Sequence, residues 1–100
     1  MIKHIVVWKL SGTEDDPCRQ ANAIKIRKIL EELNGRIPGM VRLEVGFDFS
    51  KTPSSGDIVL YSEFVSREAL AGYQTHPDHL AAATFVKAVT CDRRLIDYEV

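Results

Sequence analysis

Apolar positions in this chain first run unbroken, then recur at helical spacing, then alternate, and that order predicts the fold. From Ile2 to Leu10, Ile2, His4, Val6, Trp8 and Leu10 share one face of an extended segment, and Lys3, Ile5, Val7 and Lys9 the other. Ile, Val and Trp without a breaker read as a strand covered on both sides at its middle. After the polar loop 11–16, Pro17 starts a helix in which Ala23, Ile26, Ile29, Leu30 and Leu33 form an apolar stripe. The helix is expected to reach about Asn34, with Gly35 as its stop. Ile37-Pro38-Gly39 turns the chain into a second strand, Met40 to about Phe49. There Val41, Leu43, Val45, Phe47 and Phe49 alternate with polar positions, and Gly46 marks a bulge or a close backbone approach. A polar, turn-rich link over 50–56 leads to a third strand, Asp57 to Val65. Ser66 caps a short helix ending near Thr75. Pro77 opens a second helical piece to about Thr90 that buries Ala82, Phe85, Val86 and Val89, and a last strand runs from Arg93 to Val100.

The order strand, helix, strand, strand, helix, strand predicts one α+β domain over residues 1–100. It is a ferredoxin-like βαββαβ protomer, a four-stranded antiparallel sheet with its helices on one face. Ile5, Val7, Val59, Tyr61 and Val65 then lie on a face that no helix covers. A homodimer that packs two such sheets together is the expected remedy.

Composition narrows the function more than the fold. A hydrophobic content of 45% and a charged content of 27% suit an ordinary globular domain, and a net charge of −1 offers no footprint for nucleic acid or an anionic membrane. No stretch approaches the roughly 20 apolar residues of a membrane span, and the first residues are too few and too charged for a signal peptide. Cys18 and Cys91 are isolated, match no CxxC pattern and suggest a reducing, cytoplasmic setting. No phosphate loop or nucleophile elbow is present, and no cofactor is expected.

Candidate chemistry gathers in Tyr73-Gln74-Thr75-His76-Pro77-Asp78-His79. Pro77 keeps His76 out of helical backbone, and His79 falls in the first turn of the following helix, where the dipole disfavours imidazolium. His79 therefore reads as a neutral base or acceptor, and Tyr73 as a phenol able to donate to an oxyanion. Residue type and position alone favour blander roles, a structural histidine and a core tyrosine with its hydroxyl at the rim. His4 shares its strand face with Trp8 and could meet His76 and His79 beneath the helices. HxxH is interrupted by Pro77 and no cysteine cluster accompanies it, so no metal is expected. Asp57, Glu63 and Asp97 form no recognisable acid pair and read as solvated.

Ile2-Lys3-His4-Ile5-Val6-Val7-Trp8-Lys9, Ile37-Pro38-Gly39, Glu44-Val45-Gly46, Asp57-Ile58-Val59-Leu60, Glu63-Phe64, Ala69-Leu70, the Tyr73–His79 stretch and Asp97-Tyr98 together resemble the stress-responsive dimeric α/β-barrel (Dabb) family over essentially the whole chain. The resemblance implies a ferredoxin-like protomer whose sheet packs on its twin to form a barrel. One branch of the family, which includes olivetolic acid cyclase, closes linear polyketides by aldol chemistry. Its catalytic tyrosine and histidine fall on Tyr73 and His79, and its strand histidine on His4. The expectation is a homodimer binding a small aromatic or polyketide-like molecule, with His79 as base and Tyr73 as oxyanion donor. His4, His76, Trp8, Leu60 and Phe85 are the expected substrate contacts. The competing expectations are a non-catalytic, stress-associated binding or assembly protein and a cofactor-free monooxygenase like those on related dimeric barrels.

Overall fold

A computed structural model describes residues 1–100. The elements are β1 (Ile2–Leu10), α1 (Pro17–Glu31), β2 (Met40–Phe47), β3 (Ile58–Phe64), α2 (Arg67–Thr75), α3 (Pro77–Val89) and β4 (Thr90–Glu99). All strand pairs are antiparallel, in the order β2-β3-β1-β4, which is the ferredoxin-like arrangement. The three helices cover one sheet face, where Ile2, Val6, Leu43, Ile58, Leu60 and Phe64 meet Ile26, Leu30, Leu70, Tyr73 and Val86 in a single buried core.

Local chemistry sets the boundaries. The Asp16 carboxylate accepts from the Cys18 N–H at 2.9 Å, and Pro17 occupies the first turn of α1. α1 ends at Glu31 instead of Asn34, because the next residues turn away to serve the sheet edge. The Asn34 amide exchanges two 2.9 Å hydrogen bonds with the Leu43 backbone, and the Glu31 carboxylate accepts from Val45 N–H at 3.1 Å. These contacts occupy edge donors that β2 would otherwise leave free.

The bulge in β2 lies near Val41, not at Gly46. Met40 and Arg42 oppose the successive residues Phe64 and Glu63, so Val41 is the extra residue and is 51% exposed. Gly46 makes the close approach instead: a Cβ there would stand 3.3 Å from Val59 Cγ1. β2 also stops at Phe47, leaving Phe49 almost wholly exposed. β4 starts at Thr90, earlier than Arg93, and follows α3 without a loop. In α3, Ala82 and Val86 are buried, while Phe85 and Val89 are only partly so.

The opposite sheet face carries no helix. Ile5 faces Ile96 across the β1–β4 pair, Lys3 faces Tyr98, and Ile96 is 63% exposed. On the same face Lys3 Nζ meets Glu63 Oε2 at 2.6 Å and the Tyr61 hydroxyl at 2.7 Å. The hydrogen bond to Glu63 is the main reason the Lys3 pKa rises to about 12, and Lys3 in turn lowers that of Glu63. Glu63 and Asp57 are therefore engaged rather than solvated, since Asp57 accepts from Leu10 N–H at 2.8 Å and from Arg19 at 2.9 Å. No helix is long and apolar enough to cross a membrane, and Cys18 and Cys91 are free thiols.

Candidate functional site

A cavity of about 330 Å³ opens between the helices and the β1–β4 side of the sheet. Its walls include His4, Trp8 and Leu60 from the sheet, Tyr73 from α2 and His79 from α3. Each is placed by a local rule. His4 and Trp8 follow the period of two along β1, on the face turned to the helices. Tyr73 is the last buried residue of α2, whose start is capped by the Ser66 hydroxyl accepting from Ala69 N–H. Pro77 keeps His76 extended, with φ −65° and ψ 134°, so α3 leaves at a new angle and His79 faces back toward Tyr73.

The Tyr73 and His79 ring centroids lie 4.2 Å apart, and the His4 centroid lies 5.9 Å from that of Tyr73. His79 Nδ1 is 3.3 Å from the Gln74 carbonyl. A carbonyl can only accept, so Nδ1 carries the proton and Nε2 the lone pair. His4 follows the same logic: its Nδ1 donates to Asp97 Oδ1 at 2.5 Å, across the β1–β4 register that pairs the two residues.

Electrostatics separate the two central groups. Burial lowers the His79 pKa, the Gln74 carbonyl pulls the other way, and the charges of His4, Arg93 and His76 add to the lowering. Burial pushes the Tyr73 phenol up to about 12, against a lowering from Arg93. At neutral pH the pair is thus a free imidazole base beside an intact phenol donor.

Two of the expected contacts lie elsewhere. His76 turns its ring back on its own backbone, Nδ1 accepting from Asp78 N–H at 3.1 Å as the cap of α3. Phe85 is half-buried under the Lys25 ammonium, 4.2 Å from its ring centroid, and does not line the cavity. Two residues that pattern reading passes over are central: Asp97 holds His4, and Arg93 joins the cavity wall. The strand register alone could have found them, since β4 sets Asp97 opposite His4 and Arg93 opposite Trp8. No group of three or more His, Cys, Asp or Glu side chains is placed to hold a metal ion.

The family model of the stress responsive A/B barrel domain matches residues 2–100. No curated protein matches the chain. Among solved structures, a dimeric protein of unknown function with a ferredoxin-like fold from Bacteroides fragilis is 31% identical, with a TM-score of 0.76 over 99% of this chain and 95% of its own. A Dabb family protein from Mesorhizobium loti is 24% identical, with a TM-score of 0.75 over 99% and 95%. A hydroxynitrile lyase from Passiflora edulis shares the fold at 16% identity, with a TM-score of 0.81 over 99% and 92%.

Proposed function

The chain belongs to the stress responsive A/B barrel domain family, and from that premise we propose a homodimeric, cofactor-independent enzyme that closes a small polyketide-like or aromatic-precursor molecule by aldol chemistry. The observation that carries this reading is a base and a phenol 4.2 Å apart, ring to ring, on the wall of one cavity large enough for a small ligand.

In the proposed reaction His79 Nε2 removes a proton from the carbon next to a substrate carbonyl. The electron pair left behind spreads onto the carbonyl oxygen, and the Tyr73 hydroxyl donates a hydrogen bond to that oxyanion. The enolate carbon attacks a second carbonyl of the same molecule, which forms the ring carbon–carbon bond. The new alkoxide takes back the proton from the His79 imidazolium. Substrate and aldol product have the same composition, so the step needs no oxidant or reductant. His4, fixed by Asp97, and the apolar walls Trp8 and Leu60 hold the chain folded on itself. The open sheet face with Ile5, Tyr61 and Ile96 supplies the dimer contact.

The test is turnover of a linear polyketide, offered both as the free acid and as the thioester. His79→Ala should lower it by about 10² to 10⁴, and Tyr73→Phe by about 10² to 10³, with melting temperature and dimer unchanged. Saturable binding without turnover by the wild type would leave a non-catalytic binding protein. Unfolding of His79→Ala would make that residue structural.

A further inference from the structure

We propose that Arg93 is a specificity residue that selects ligands bearing a carboxylate and seats that group at the rim of the cavity. The inference rests on the reading of the cavity as a ligand site and adds the chemical class of the ligand. Arg93 lies opposite Trp8 in the β1–β4 register, which sets it on the cavity side of the sheet and away from the open face. It is exposed while still lining the cavity, as is Lys87 at the end of α3. The deeper wall is apolar, made by Val6, Trp8, Leu60 and Val86.

What distinguishes Arg93 among the seven arginines is that it lines the cavity without a carboxylate partner; Arg36, the other arginine without one, is not in the cavity wall. Arg19, Arg27, Arg42, Arg67 and Arg94 each pair with a carboxylate, and Arg93 pairs with none. Asp92, the one acidic residue in the cavity wall, has Arg94 3.9 Å away as its ion-pair partner. The rim therefore presents a free guanidinium above an apolar pocket. A single planar guanidinium matches a carboxylate through two parallel hydrogen bonds, a geometry that an ammonium cannot reproduce. The field of Arg93 also reaches both Tyr73 and His79, so a carboxylate seated there lies within range of the reacting pair.

Trp8 is the only tryptophan of the chain and lies in the cavity wall, so its fluorescence reports occupancy. The probes are 3-phenylpropanoate and its neutral isostere 3-phenylpropanamide, titrated into the wild type, Arg93→Gln and Arg93→Lys, with circular dichroism confirming the fold. The carboxylate should bind the wild type about tenfold more tightly than the amide. Arg93→Gln should abolish that preference by weakening the carboxylate alone, and Arg93→Lys should keep part of it. Equal binding of the two probes to the wild type, or a preference that survives Arg93→Gln, overturns the proposal while leaving the cavity as a ligand site. If neither probe changes Trp8 fluorescence, the ligand site and its selectivity fall together.

Discussion

Tyr73 and His79 are shifted by the same cause, loss of water, toward the neutral state of each. For Tyr73 this has a measurable sign. A phenol raised to about 12 in the folded chain, against an ordinary value of 10.0, keeps its proton where the unfolded chain releases it. Its contribution to stability is complete below the unfolded value and is lost as pH rises through the folded one, a loss of up to about 2 to 3 kcal/mol. Urea unfolding between about pH 9 and about pH 12 should show this loss in the wild type and its absence in Tyr73→Phe. An equal decline in both proteins would refute the assignment. These two residues were legible because six positions of sequence and one proline hold them together. Arg93 and Asp97 were not, because charges on an edge strand look solvated until the register sets them opposite Trp8 and His4.

Gly39 shows how a turn supports a distant helix. Its φ of +78° favours glycine, and a Cβ would lie 2.5 Å from Ala69 Cβ on α2, the helix that carries Tyr73. Gly39→Ala should cost about 1 to 2 kcal/mol for backbone strain and about 1 to 3 kcal/mol for overpacking. Chemical denaturation of the full cycle can separate the two: once the cost of about 1 kcal/mol of Ala69→Gly alone in α2 is subtracted, the double variant should recover the packing against Ala69 and leave the strain. The Ile37-Pro38-Gly39 turn was readable from residue type alone. The course of β2 was not: Val41, Leu43 and Val45 alternate without fault, yet one extra residue near Val41 turns it away from the core. A bulge leaves no trace in hydrophobic alternation when the displaced residue is itself apolar. Similarly, the end of α1 depends on what Asn34 and Glu31 bond across the sheet edge, which helical periodicity does not encode.

The chain has two distinct sides, a cavity beneath the helices and an open sheet face behind it. Ile96→Glu changes only the second, since Ile96 faces Ile5 on the open side. A stable dimer buries on the order of 1,600 Å² in total, and a charge at its centre costs several kcal/mol if unpaired. Sedimentation should therefore find wild-type dimer and Ile96→Glu monomer, the variant still folded; an undisturbed dimer would place the interface elsewhere. The two-sided strand β1 was visible in sequence as apolar residues on both faces, and the order of the elements made the ferredoxin-like arrangement legible. The same strand governs how the chain folds. β1 is synthesised first, yet it is an inner strand whose partners are β3 and β4, so that Trp8 waits for Ile58 and Ile2 for Glu99. No hydrogen bond of β1 can form until a long loop has closed, which sets folding in the millisecond-to-second range of non-local topologies. Until then this largely apolar strand has both edges unpaired, and in a cell this interval, more than the stability of the finished fold, is when the chain is most exposed to aggregation.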